Sequence, residues 1–299
     1  MNRKTKTLIK LDYICNNNCY FCWQDRHGLG SKKGKISSKD LEIKEKIRKV
    51  KKNTDTEILV FSGGEPTTRE SLIELASYVD KTGLKLGLAT NLRALSSKKL
   101  LKSLEKKGLE WVYGTFLTKN RKKYQKITKT DGLGQNLAGL HNVLQSDVDH
   151  LINLVVTRES IDDVVGNIGY LSDQGVNNVK ISSVEPVFNK EVDPVPVKKV
   201  CNQLKKVFSK FEDELNIFFE GVPFCLLDKP DKFIEFKEIG VKYMSEPYEK
   251  DIYEVGTKHG KIEKCKKCSK YGECPGFYKT YTEKKKTEVE KIVGKNRFN

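Results

Sequence analysis

The chemistry of this chain is concentrated in its cysteines. Cys15-Asn-Asn-Asn-Cys19-Tyr-Phe-Cys22 follows directly on a short apolar run, Leu8 to Ile14. Three thiolates within eight residues can wrap one face of a compact metal centre. A closed structural zinc site takes four ligands, so three are too few for one, and on a cubane iron–sulfur cluster they leave one iron open. The run of asparagines suits a loop that turns tightly and visits left-handed conformations. A second group lies near the other end: Cys265-x2-Cys268-x5-Cys274-Pro275-Gly276, preceded by Gly221-Val222-Pro223-Phe224-Cys225. Four thiolates can close a site completely, around an iron–sulfur cluster or a single zinc ion. The remaining cysteine, Cys201, shares an apolar helical face with Val197, Val200, Leu204, Phe208 and Phe211 and reads as a core residue.

Elements must place these groups. Short apolar runs predict strands at Leu8 to Ile14, Glu57 to Phe61, Leu84 to Ala89, Trp111 to Phe116, Leu151 to Val156 and Val179 to Val184. Helical spacing lies between them: Leu72, Leu75, Ala76 and Val79; Leu100, Leu101 and Leu104; Ile161, Val164, Val165, Ile168 and Leu171. Ser37 and Asp40 stand as a capping box ahead of a helix running to about Val50. Strand and helix repeated about six times mean right-handed βαβ units and a parallel sheet. Such a sheet holds its ligands at the C-terminal ends of the strands, whether it forms a barrel or an open doubly wound sheet. The first cysteine triplet fits that rule, since it follows the first strand. After about Pro194 the pattern changes to a helix, one more strand (Leu215 to Glu220) and a Lys-, Glu- and Tyr-rich stretch with four of the cysteines. The reading divides the chain into residues 1–194, 195–283 and a polar tail at 284–299.

With the triplet goes Ser62-Gly63-Gly64-Glu65-Pro66, after the second strand. The triplet, with Phe21 before its last cysteine, and this Gly-Gly-Glu-Pro segment together resemble the radical S-adenosylmethionine enzymes. The resemblance implies a partial (βα)6 barrel in which Cys15, Cys19 and Cys22 hold a [4Fe-4S] cluster. The amino and carboxylate groups of S-adenosylmethionine would chelate its open iron. The two glycines would let the backbone approach that ligand and offer carbonyls to its ammonium group. Glu65 would pair with the same charge, and Pro66 would fix the turn. Other strand ends match more loosely. Thr90-Asn91 stands where the family often reads Thr-Asn-Gly, with Leu92 in place of the glycine. Thr115 falls where a polar residue meets the ribose or methionyl part, though the family's Ser-x-Asp pattern is absent there, and Thr157 and Arg158 where the methionyl carboxylate would be bound. A plain strand-end or helix-cap role accounts for Asn91, Thr115, Thr157 and Arg158 as well.

The second group resembles the auxiliary-cluster region, SPASM or twitch, of radical S-adenosylmethionine maturases. Four cysteines suffice for one auxiliary [4Fe-4S] cluster at Cys225, Cys265, Cys268 and Cys274, where full SPASM domains hold two; zinc is the alternative. The implied activity is reductive cleavage of S-adenosylmethionine and oxidative modification of a peptide or protein. The implied partners are that substrate, a flavodoxin- or ferredoxin-type electron donor and a separate peptide-recognition protein. The alternatives are action on RNA or on a small cofactor precursor, and a non-catalytic Cys-rich zinc or iron–sulfur binding module.

Composition narrows the remaining classes. The 299 residues carry a net charge of +16, but only eight of the 56 basic residues are Arg. Nucleic-acid recognition favours the planar Arg fork, so the charge argues against a nucleic-acid partner. A proteome-wide Lys bias accounts for it, and steering of an acidic electron-donor protein is the alternative. No apolar run approaches the roughly 18 residues of a membrane span, and no signal-peptide core follows the N-terminus. These features predict a cytoplasmic protein.

Overall fold

The computed structural model describes residues 4–22, 37–185, 193–227, 234–235, 241–255 and 259–294. Six strands and six helices alternate through the first part: β1 (Lys6–Lys10), α1 (Asp40–Asn53), β2 (Ile58–Ser62), α2 (Leu72–Lys81), β3 (Lys85–Thr90), α3 (Lys98–Glu105), β4 (Leu109–Phe116), α4 (Arg121–Thr128), α5 (Leu133–Leu144), β5 (Asp149–Val156), α6 (Val164–Asp173) and β6 (Asn178–Ser183). The apolar run at Leu8 to Ile14 leaves the ladder early, because Asp12 turns the chain by accepting the Ile14 amide at 2.9 Å. The strand therefore ends before the cysteines and leaves a short lead-in to them. The expected Ser37–Asp40 cap is not formed. Lys39 precedes α1, its amide bonded to Glu42, because Asp40 is taken by Arg69 and Ser71.

Strands β1 to β6 pair in sequence order, all parallel. A doubly wound sheet reverses its strand order; this one never does, so every crossover packs on the same face, as in a barrel. Burial follows that winding. Ile9, Leu59, Phe61, Leu86, Leu88, Val112, Leu154 and Ile181 form one large core with Ile43, Ile47, Leu75, Val79, Leu104, Leu140 and Ile168 of the helices. Each such side chain contributes about 1.5–3 kcal/mol of burial. The alternate residues Ile58, Val60, Trp111, Leu151 and Phe218 form a separate cluster inside the curve of the sheet.

The sheet does not stop where the sequence pattern changes. Helix α7 (Val197–Phe211) leads to β7 (Asn216–Glu220), parallel to β6, and β8 (Ile234–Glu235) extends that edge. At the other edge β9 (Tyr243–Ser245) lies parallel to β1, and β10 (Tyr253–Glu254) is antiparallel to β9. The result is a ten-stranded open sheet, a partial barrel extended on both sides. A hairpin of β11 (His259–Gly260) and β12 (Phe277–Tyr278) frames the distal cysteines, followed by α8 (Lys279–Lys284) and α9 (Lys286–Val293). The stretch expected as a polar tail is thus largely an amphipathic helix, which buries Val289, Ile292 and Val293. Residues 295–299 of that stretch lie outside the described residues.

Candidate functional site

The proximal cysteines sit on the loop leaving β1, at the C-terminal mouth of the barrel, all three partly exposed. Their loop is held from several sides. Asn18 and Tyr20 donate their amides to Thr128 and Ile127 at the end of α4, at 2.8 and 3.2 Å. Arg93 bonds the Asn16 carbonyl and, at 2.7 Å, Asn17 Oδ1. Phe21 packs edge-on to Tyr20, ring centroids 5.7 Å apart, against a cluster that includes Leu117, Ile127 and Val184.

The Gly-Gly segment meets this loop backbone to backbone. Gly64 donates to Asp12 O at 2.8 Å and Glu65 to Ile14 O at 2.7 Å. A Cβ on Gly63 would lie 2.2 Å from Asp12 O, and one on Gly64 1.9 Å from Ile14 O. Gly63 also has φ +132°, a region L side chains rarely adopt. The close approach that the glycines permit is therefore to the cysteine loop itself. Pro66 is buried at the first position of the following turn.

Glu65 is 1% exposed. Its Oε1 accepts from Thr67 N (3.2 Å), Thr67 Oγ1 (2.6 Å) and Thr90 Oγ1 (2.7 Å), and its Oε2 from Asn91 N (2.6 Å). Burial pushes its carboxyl up, against these bonds, which favour the charged form. In this geometry the carboxylate clamps its own turn to the end of β3. Asn91 continues the link: its Nδ2 donates to Asn16 Oδ1 at 2.7 Å and lies 4.0 Å from Cys15 Sγ. Leu92, in place of glycine, keeps the left-handed backbone that glycine would favour (φ 69°) while fully buried.

The other strand ends diverge. Thr115 lies half-buried at the end of β4, its carbonyl accepting from Asn136 at 3.0 Å. Thr157 is fully buried and shares a hydrogen bond with Ser160 at 3.1 Å, a local cap. Arg158 is half-exposed and turned to Asp193. The structure thus gathers Cys15, Gly63, Gly64, Glu65 and Asn91 at one mouth and gives Thr157 and Arg158 partners of their own. Arg69 and Arg93 are residues that sequence reading missed. Arg69 joins Asp12 (3.2 Å) to Asp40 (2.5 Å) behind the cysteine loop. Their scarcity was the available signal, since a Lys-rich chain that places Arg at a carbonyl or carboxylate fork is using its planar geometry.

The distal cysteines converge. Cys225, Cys265, Cys268 and Cys274 line one pocket with Phe224, Lys261, Tyr271 and Phe277, closed by Val293 of α9. Phe224 N donates to Cys274 Sγ at 3.3 Å. Burial pushes the Cys225 thiol up to about 12, with Cys274, Cys265 and Cys268 adding to it. Cys201 is buried at 1% exposure among apolar neighbours.

Both cysteine groups suit thiolate-bound clusters. None of the eight cysteines is in a disulfide. Beside the proximal group the Tyr124 hydroxyl is buried without a well-formed hydrogen bond, facing Asn17, Arg93, Cys19 and Cys15. Such an orphaned donor fits a site completed by a bound group. Among the described residues no three His, Cys, Asp or Glu side chains close to the spacing of a single metal ion. None of the described helices is long and apolar enough to cross a membrane.

Residues 9–171 match the family model described as the Radical SAM superfamily. Among curated proteins, a probable GTP 3',8-cyclase of Saccharolobus islandicus (strain Y.N.15.51 / Yellowstone #2) is 28% identical over 181 residues, 60% of this chain and 56% of that protein. Another, of Pyrococcus abyssi (strain GE5 / Orsay), is 30% identical over 164 residues, 55% of this chain and 51% of its own. The chain thus spans about half the length of the curated relatives it matches. Among solved structures, native anSMEcpe with bound AdoMet and Cp18Cys peptide superposes over 97% of both chains, TM-score 0.64, 16% identity. Streptococcus suis SuiB bound to precursor peptide SuiA covers 82% of this chain and 58% of its own, TM-score 0.64, 16% identity. At these identities the structural likeness is one of fold.

Proposed function

The chain belongs to the radical SAM superfamily, and from that premise we propose that it cleaves S-adenosylmethionine reductively to modify a peptide or protein oxidatively. Membership implies a [4Fe-4S] cluster and S-adenosylmethionine. Cys15, Cys19 and Cys22 would hold the cluster. When bound, it supplies the electron that splits S-adenosylmethionine into methionine and a hydrogen-abstracting 5′-deoxyadenosyl radical. The chain's own residues position that chemistry. Arg93 and α4 fix the cysteine loop, Gly63 and Gly64 let the neighbouring turn lie against it, and Glu65 ties that turn to Asn91. Thr115, at the mouth without a role in the loop's support, would meet the ribose or methionyl part. Thr157 and Arg158 would join it only by exchanging the partners they now have. The single observation that carries the reading is this convergence on Cys15 at the C-terminal mouth of the barrel, where parallel barrels do their chemistry.

Cys225, Cys265, Cys268 and Cys274 would hold one auxiliary [4Fe-4S] cluster, which could accept the electron left after hydrogen abstraction; a zinc ion at the same thiolates would only brace the region. The peptide reading is supported by the solved neighbours, anSMEcpe with a bound Cp18Cys peptide and SuiB bound to precursor peptide SuiA, the former matched over 97% of this chain. An acidic flavodoxin- or ferredoxin-type donor suits the +16 charge. A second reading, a small cofactor precursor as substrate, draws on the sequence relatives named probable GTP 3',8-cyclases. The test is anaerobic reaction of the reduced protein with S-adenosylmethionine and a library of short unmodified peptides, with GTP offered in parallel. The expected product has lost about two hydrogens, with matching 5′-deoxyadenosine. Consumption of GTP in place of any peptide would transfer the assignment to the second reading.

A further inference from the structure

The inner face of the barrel carries two ion pairs that the cysteine site does not use. Alternation puts Lys10, Lys180 and Glu220 on the same face as Val60, Trp111, Leu151 and Phe218, inside the curve of the sheet. Lys10 Nζ lies 2.5 Å from Glu246 Oε1, and Lys180 Nζ lies 2.5 Å from Glu220 Oε2. The two pairs differ in access. The side chains of Lys10 and Glu246 are 6% and 3% exposed, and Tyr13 takes the second oxygen of Glu246. Glu220 keeps 18% exposure beside a Lys180 at 5%. The first pair is closed, and the second keeps part of its carboxylate exposed on this inner face.

Packing alone gives no reason for the open pair. A buried ion pair is seldom more stabilising than apolar residues of the same volume, and the floor beside it is apolar. Its position is informative. Thr115 pairs with Asn153, Asn153 with Lys180, and Ser182 with Glu220. The pair therefore stands at the level of Thr115 at the mouth. The chain continues from Glu220 through Gly221, whose left-handed φ of +78° and missing Cβ admit the Tyr278 ring, to Cys225 of the distal pocket. Lys180 Nζ stands 5.7 Å over the Tyr113 ring. Burial presses its ammonium toward the neutral form, and Glu220 opposes that shift.

We propose that Lys180 and Glu220 form a substrate-recognition pair inside the barrel, which takes the uncharged amide group of a peptide. The ammonium donates to the amide carbonyl, and the carboxylate accepts the amide N–H. Each of these two inward lysines stands against a carboxylate, so a pair presents a donor beside an acceptor, the complement of an amide rather than of a triphosphate. This inference rests on the peptide reading above and deepens it by naming the group that is read.

The test uses the cluster-loaded full chain with S-adenosylmethionine at physiological salt. The probes are a pool of N-acetylated, C-amidated tetrapeptides without charged side chains, and magnesium GTP; affinity-selection mass spectrometry reads their retention. Wild type is expected to retain members of the pool, and Lys180→Met and Glu220→Gln to retain them at least about 10-fold less tightly, ~1.4 kcal/mol. Removing one partner alone strands a buried charge. The double variant Lys180→Met/Glu220→Leu replaces both by apolar groups, and is expected to melt with wild type yet lose the pool. Equal retention by the double variant, or no retention by wild type, would overturn the proposal. So would micromolar GTP binding lost in Lys180→Met, which would make the pair a phosphate site. The mass shift of the modified peptide is a separate readout, on which the peptide reading stands or fails independently.

Discussion

Four donors from two segments converge on the Glu65 carboxylate, so its loss is felt first as stability. Glu65→Ala leaves Asn91 N, Thr90 Oγ1 and both Thr67 donors without their acceptor, at a cost on the order of 2–4 kcal/mol. Chemical denaturation is the check: a clear loss of stability with slackened iron retention is expected. A variant of wild-type stability that only binds S-adenosylmethionine more weakly would show a direct contact instead. At this scale the sequence was readable wherever chemistry is set by residue type at short spacing. The cysteine triplet and the Gly-Gly pair are of that kind. It did not show that the missing Cβ atoms of Gly63 and Gly64 also admit Asp12 and Ile14, because a backbone contact between distant loops leaves no mark in either segment. Glu246 was invisible for a similar reason, its partner lying 236 residues away; Arg93, whose partner lies 77 residues away, was marked only by the scarcity of Arg.

At the scale of elements, the segment from β9 onward is the unforeseen part. Its strand of three residues is too short to register as an apolar run, yet it adds to the β1 edge and is riveted there. Glu246 takes Lys10 and Tyr13, while Lys46 of α1 donates to the Glu246 carbonyl at 2.6 Å and Ser38 to that of Pro247 at 2.6 Å. Glu246→Ala would strand the buried Lys10 charge, costing about 3–5 kcal/mol. Hydrogen exchange is expected to quicken together in residues 241–255 and 11–14, since Tyr13 lies two residues before Cys15. Quickening confined to 241–255 would separate this segment from the cysteine loop. Strands β2 to β6, by contrast, were legible to within two residues, because strands buried on both faces are continuous apolar runs. The C-terminal helix α9 was legible only as a polar helix or tail, because its three buried residues are scattered among lysines and glutamates over only two turns.

For the whole molecule, alternation of strands and helices announced a parallel sheet but not its closure. The choice between barrel and doubly wound sheet depends on strand order, which is a long-range property that periodicity does not carry. The net charge belongs to this scale too. With 48 of 56 basic residues Lys, bulk transfer RNA is expected to bind only weakly, and binding should fade near physiological salt, with a slope of about −0.9 per phosphate neutralised on duplex. Saturable submicromolar binding that survives that salt would make the basic surface functional. The central claim is that the two cysteine groups are separate cluster sites, the first of them the site of S-adenosylmethionine cleavage. Iron and sulfide should be counted after anaerobic reconstitution, in wild type and in a variant with Cys15, Cys19 and Cys22 all replaced by Ala. About eight of each per chain are expected in wild type, and about four in the variant, with 5′-deoxyadenosine formation abolished. Zinc retained with iron never above about four would contradict the auxiliary cluster, and a triple variant that still forms 5′-deoxyadenosine would contradict the account at its centre.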